Sequence, residues 1–241
     1  MLGVILAGGI GTRLMPLTKV TNKHLLPVYD QPMIYYPIQT LTKAGINEIV
    51  IVTGKEHSGN FMTLLSSGRE FGARFAYVLQ EGAGGIAEAI GLVEPYARGS
   101  SIVVMLGDNI VFDDLTDEVR GFKSGCRIFL KEVADPERFG VPEIDDSGKI
   151  RRIIEKPANP PTKFAVTGIY FYDSTVFDRI KRLKPSERGE LEVTDLNNSY
   201  LADGKLSHGF IKGPWLDAGT IENLYQATLL VRKLRVDGRE P

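Results

Sequence analysis

The sequence predicts an α/β fold built on a mostly parallel sheet with helices on both faces. Three observations carry this expectation. Short apolar runs bounded by glycine recur along the first 113 residues, as buried parallel strands require. Segments of helical spacing separate them, and alternating strand and helix implies a parallel sheet. The hydrophobic content of 43% over 241 residues is ample for the core of such a domain.

The first run, Val4-Ile5-Leu6-Ala7, reads as a strand. Pro32 suits a helix start, and helical spacing continues over 38–44 with Gly45 as the stop. A second strand is expected over 49–52, a helix over 60–65, and a third strand over 75–79 ending at Gln80. Gly84-Gly85 precedes a helix over 86–93, and a strand over 101–106 runs into Gly107-Asp108-Asn109. Beyond residue 114 the pattern changes. A helix (115–122), a strand (126–131), a hairpin turning at 145–148, a strand (165–172) and helices over 176–183, 191–201 and 221–234 are expected. The chain is read as one domain, 1–241, with a nucleotide half (1–113) and a sugar half (114–241).

Ligands of open α/β sheets bind outside the carboxyl ends of the strands. Gly8, Gln80 and Asp108 would sit there. Gly8, Gly9 and Gly11 let the backbone approach a ligand and turn N–H groups toward it. Arg13 and Lys23 add cations suited to phosphate. A dinucleotide fingerprint would need glycine where Leu14 stands, and Gly54-Lys55 lacks the earlier glycine of a Walker loop because Ile49 occupies its place. Asp108, after a buried strand, and Asp217, after Trp215-Leu216, suit Mg²⁺, which takes one or two carboxylates completed by waters and phosphate oxygens.

A net charge of −1 gives nucleic acid or anionic membrane no electrostatic hold. The single cysteine, Cys126, excludes an intrachain disulfide and suits a reducing compartment. No apolar run approaches the roughly 20 residues of a membrane span, so a cytoplasmic protein is expected. The three histidines lack ligand spacing, and neither a G-x-S-x-G elbow nor a Cys-His pair suggests a nucleophile.

LGVILAGGIGTRLMPLTKVTNKHLLP resembles the signature of the sugar-phosphate nucleotidylyltransferases, roughly G-G-x-G-T-R-L-x-P-x-T…K-x-L-L-P. The stretches LLPVYDQPMIYYPI, LGDN, DPERFGV, EKP, FAVTGIYFYD, RGELEVTDLN and WLDAGT extend the likeness to about residue 220, most of all toward the glucose-1-phosphate thymidylyltransferase branch in a short form. The resemblance implies the Rossmann-like mixed sheet of the nucleotidyltransferase fold. It implies dTTP and glucose 1-phosphate as substrates, Mg²⁺ as cofactor and, as one possibility, a homo-oligomer. By the same resemblance Arg13, Lys23 and Lys156 are catalytic, and Asp108 and Asp217 hold the metal. Leu6, Gly8, Gly9, Gly11, Thr12, Gln80, Gly85 and Asp108 are expected to bind nucleotide. Asn109, Gly140, Glu155, Lys156, Val166, Thr167 and Arg188 are expected to bind the sugar phosphate. The base-facing stretch QEGAGGIAEA departs from the long form's Q-x-x-P-x-G-L-A-Q-A, which leaves a uridylyltransferase as the alternative; a nucleotide-sugar sensor without turnover is another.

Overall fold

A computed structural model describes residues 1–238. The fold is α/β, with a mixed, mostly parallel sheet of seven strands and flanking helices. The chain forms two compact units that interleave in sequence.

The N-terminal unit comprises Leu2–Ala83, Met105–Gly121 and the chain from Gly213. Strands Leu2–Ala7, Glu48–Gly54 and Arg74–Gln80 pair in parallel, Leu6 opposite Val52 and Val52 opposite Val78. All six residues of the first strand are buried, matching its unbroken apolar run. The helix expected near Pro32 begins instead at Tyr35 and runs to Lys43. Pro32 pairs with Pro27 in a two-residue hairpin, and Pro37 takes the first helical turn, where its missing N–H costs nothing. Gly45, at φ 85°, supplies the expected stop.

Among the strands that were not expected, two short ones bear on the site. Asn109–Val111 and Trp215–Asp217 pair antiparallel, setting Asp217 opposite Asn109. The final helix, Ile221–Val236, is capped by Thr220 Oγ1, which accepts from Asn223 N at 3.2 Å. It buries Leu224, Ala227 and Val231 in one cluster with Leu14, Leu26, Val28, Met33, Tyr36, Ile110 and Ala218. Each leucine, isoleucine, valine or methionine side chain of the cluster contributes about 1.5–3 kcal/mol on burial. This cluster ties the residues after 213 to the N-terminal strands.

The second unit comprises Gly84–Val104 and Phe122–Lys212. Its strands Leu206–Phe210, Cys126–Glu132, Phe164–Tyr172 and Ile102–Leu106 are neighbours in that order. Leu206–Phe210 runs parallel to Cys126–Glu132, whereas Phe164–Tyr172 runs antiparallel to it. Leu206–Phe210 was not expected, because LSHGF lacks an apolar run. The expected hairpin is present as Gly140–Ile144 and Ile150–Glu155. Helix Val193–Ala202 is tied to it by Asn198, which donates to Ile153 O at 2.8 Å and accepts from Ile153 N at 2.9 Å. The helix expected over 86–93 ends at Gly91, and a separate turn of helix, Glu94–Ala97, follows with Pro95 at its start.

Candidate active site

The N-terminal unit gathers its candidate residues around the turn after the first strand. Gly11 adopts a left-handed conformation, φ 73°, and the short helix Thr12–Leu14 follows it. Leu14 is fully buried and anchors this turn, leaving Arg13 exposed. Thr18 Oγ1 donates to Gly11 O at 2.8 Å. Gln80 lies beside Gly8, where a Cβ would stand 2.9 Å from Gln80 Oε1. Leu6 is buried, and its carbonyl accepts Gly107 N–H at 2.9 Å, which brings the Gly107-Asp108 corner to the same end of the first strand.

Lys23 lies across the glycine turn. A Cβ on Gly9 would stand 3.2 Å from Lys23 Cε, so a larger residue would displace the lysine. Its ammonium forms an ion pair with Asp108 Oδ2, with only 14% and 8% of the two side chains exposed. Burial would raise the Asp108 pKa, but the Lys23 charge and the hydrogen bonds from Lys23 and Asn109 outweigh it and hold the carboxyl well below its ordinary range. Asn109 is buried: its Nδ2 donates to Asp108 Oδ1 at 3.2 Å and its Oδ1 accepts from Trp215 Nε1 at 2.7 Å. Its side chain therefore orients Asp108 and joins the two short strands.

Asp217 reaches the same place from the other short strand. Its Oδ1 accepts Gly219 N–H at 3.2 Å, and Ala218 N donates to Asp108 O at 2.9 Å. A Cβ on Gly219 would lie 2.9 Å from Asp217 Oδ1, 3.1 Å from Arg13 Nη2 and 3.4 Å from Asp108 Oδ2. Arg13, Asp108 and Asp217 thus converge on one glycine. Among the described residues, no group of three or more His, Cys, Asp or Glu has metal-holding geometry.

The second unit carries the other candidates. Gly85, at φ 97°, sits against Leu191, whose carbonyl oxygen would be 2.6 Å from a Cβ there. Gly140 pairs with Glu155 across the hairpin. Glu155 Oε2 accepts from Thr194 Oγ1 at 2.6 Å, and Glu155 Oε1 lies 3.5 Å from Lys156 Nζ and 3.6 Å from Arg188 Nη2. Lys156 has φ 43°, and its N–H donates to Phe139 O at 3.0 Å. Arg188 Nη2 donates to both oxygens of Glu192, at 2.9 Å each. Burial opposes its charge, but Glu192, Glu190 and Glu155 more than offset this and raise its pKa. The Asp195 carboxyl is pushed up by burial and by the charges of Glu192 and Glu155. Val166 and Thr167 are buried in the strand Phe164–Tyr172, within a register irregularity between Val166 and Tyr170. Among the described residues, Thr167 Oγ1 has no hydrogen-bond partner.

The sequence reading gave no site role to several residues of this framework: Thr18, Glu192, Thr194 and Gly219, which it met only inside motifs, and Asn22 and His24. Asn22 had a signal, since an asparagine just before a helical turn is a capping residue.

The chain is similar over nearly its whole length to known proteins. A family model described as Nucleotidyl transferase matches residues 2–233. Glucose-1-phosphate thymidylyltransferase of Neisseria gonorrhoeae is 43% identical over 244 aligned residues, covering 98% of this chain and 84% of that protein. A Bacillus anthracis crystal structure named for the same activity, in complex with a sucrose, is 52% identical with a TM-score of 0.92 and 96% of each chain covered. A UDP-glucose pyrophosphorylase complexed with UDP-glucose is 25% identical, TM-score 0.84, covering 96% of this chain and 98% of that one. The chain belongs to the nucleotidyl transferase family and is an enzyme of that class.

Proposed function

We propose that the enzyme transfers a thymidylyl group from dTTP to α-D-glucose 1-phosphate, giving dTDP-glucose and pyrophosphate, with Mg²⁺ required. The convergence of Arg13, Asp108 and Asp217 on Gly219, beside a glycine turn crossed by Lys23, is the observation that carries this reading. The activity named for the Neisseria gonorrhoeae relative supports the choice of substrates.

The reaction needs no general base. The sugar phosphate is a monoester whose second pKa is about 6, so its attacking oxygen is already ionised at neutral pH. That oxygen forms a bond to the α-phosphorus as the bond to the bridging α–β oxygen breaks in line, and pyrophosphate leaves with the electron pair. Arg13 and Lys23 stabilise the charge that develops on the phosphate oxygens. Lys156 and Arg188 bind the phosphate of the acceptor, and Glu155 with Gly140 accepts hydrogen bonds from hexose hydroxyls. Gln80 and Gly85 meet the base.

Asp108 and Asp217 fit a magnesium ion. Both are hard oxygen donors brought to one glycine, and Mg²⁺ commonly takes one or two carboxylates with the remaining positions filled by water and phosphate. When bound, the ion neutralises phosphate charge. Asp108 is already held ionised by Lys23, so it offers a carboxylate rather than a carboxylic acid.

The test is pyrophosphate release from a matrix of four triphosphates against several hexose 1-phosphates. dTTP with glucose 1-phosphate is expected to turn over fastest. Faster turnover with UTP would make the enzyme a uridylyltransferase, the activity of the kind of enzyme that the UDP-glucose complex represents. Binding without pyrophosphate release from any pair would leave a sensor.

A further inference from the structure

The buried side chain of Asn22 touches the glycine turn only through the Gly9 carbonyl, and every polar valence it has is used. It is 4% exposed. Its Nδ2 donates to Ala7 O and to Gly9 O, each at 3.3 Å. Its Oδ1 accepts from His24 N at 3.0 Å and lies 2.7 Å from His24 Nδ1. Because Oδ1 can only accept, that contact puts the proton on Nδ1. The His24 ring is itself locked, 2% exposed and packed where a Cβ on Gly107 would stand 2.7 Å from its Cδ2. Asn22 is therefore held in one orientation from behind while it grips the glycine turn in front.

The grip fixes which way the turn's peptides face. In a trans peptide the carbonyl of one residue and the N–H of the next point in opposite directions. With Gly9 O drawn inward to Asn22, the N–H of Ile10 faces outward. With Gly11 O drawn inward to Thr18, the N–H of Thr12 faces outward too. Ile10 itself is 69% exposed, so that side of the turn is open. Backbone N–H groups turned outward from one turn offer donors to an anion. Asn22 also caps the short helix Lys23–Leu25, so the same side chain sets the backbone from which Lys23 crosses the turn.

We propose that Asn22, backed by His24 and seconded by Thr18, is a positioning residue for the nucleotide's phosphates. It holds the glycine turn so that the N–H groups of Ile10 and Thr12 meet phosphate oxygens. This rests on the reading of the turn as the triphosphate site.

The test compares, by titration calorimetry and saturation-transfer NMR on the full chain, affinity for the preferred triphosphate of the substrate matrix with affinity for its parent nucleoside. Asn22→Asp keeps the shape but replaces the donating NH2 with an oxygen that repels the carbonyls of Ala7 and Gly9. Triphosphate affinity is expected to fall about tenfold or more, as loss of hydrogen bonds to a charged group implies, while nucleoside affinity stays within about twofold. KM for the triphosphate should rise while KM for the sugar phosphate holds. Thr18→Val, which adds no charge, should lower triphosphate affinity in the same selective way by a smaller factor, and it serves alone if Asn22→Asp does not fold. Equal losses for triphosphate and nucleoside, or no loss in either variant, would overturn the proposal. A wild-type chain that gains no affinity from the triphosphate over the nucleoside would instead overturn the assignment of the turn.

Discussion

Removing Lys23 without removing Asp108 tests the electrostatic centre of the site. Lys23→Met keeps the length of the aliphatic stem but strands a carboxylate that is only 8% exposed. Asn109 Nδ2 still donates to that carboxylate at 3.2 Å. Breaking a buried ion pair from one side costs about 3–5 kcal/mol. Replacing both charges, in Lys23→Met/Asp108→Asn, leaves no buried charge and should fall within about 2 kcal/mol of the wild type. The double variant is thus expected to be more stable than the single one. The pH dependence sharpens the test. In the wild type the folded pKa of Asp108 is depressed, so its contribution is complete above the unfolded carboxylate value, near 3.9, and is lost as pH falls toward the folded value. In Lys23→Met burial, the largest influence on Asp108, acts without the lysine and against only His24 and the Asn109 hydrogen bond, so the folded pKa is expected to rise above the unfolded one. Protonation then favours the folded variant, so its deficit should shrink between about pH 7 and pH 5. Urea denaturation without divalent cations, at both pH values, measures this. A single variant as stable as the double, or a deficit that does not shrink at the lower pH, would refute the reasoning.

Other outcomes follow from neighbouring contacts. Arg13→Ala should lower turnover by roughly 10²–10³ with an unchanged melting temperature, since Arg13 is exposed; pyrophosphate release and calorimetry check both halves. Gly85→Ala forces a non-glycine residue to φ 97° with a Cβ 2.6 Å from Leu191 O, and should cost about 1–3 kcal/mol, read as a lowered urea midpoint. His24 is held neutral by burial and by the Lys23 charge, its pKa lowered to about 3; its ring resonances should show no titration between about pH 5 and pH 8, the range in which an ordinary histidine changes charge. Glu192→Gln removes the carboxylate that grips Arg188 with both oxygens at 2.9 Å. KM for the sugar phosphate should change while KM for the nucleotide holds, in initial-rate assays.

The strands legible in the sequence were those whose physics is local. Leu2–Ala7 and Glu48–Gly54 are continuous apolar runs ended by glycine, and nothing distant is needed to recognise them. Asn109–Val111 and Trp215–Asp217 are three residues each and exist because they pair across the chain, a relation that neither segment signals alone. Pro32 suited a helix start by its fixed φ, but so did Pro37, and burial of Met33 and Tyr36 against the last helix decided between them. Arg13, Lys23, Asp108 and Asp217 were legible as residue types in a motif. Their mutual geometry was not, because Lys23 meets Asp108 across 85 positions.

The same distinction explains why the framework residues escaped notice. A ligand-facing cation announces its chemistry by its type, whereas Asn22 matters only through the carbonyls and the imidazole it reaches. The glycines bridge the two kinds of information. In sequence Gly9 signals only a close backbone approach to a ligand and Gly219 only a motif position, yet a Cβ on either would press on Lys23, or on Arg13 and Asp217. Absence of a side chain at these positions is thus a packing constraint set by charged neighbours, several of them far away in the chain. A glycine whose missing Cβ would touch several charged side chains marks the point on which those charges converge, and in this molecule Gly219 marks it more sharply than any charged residue does alone.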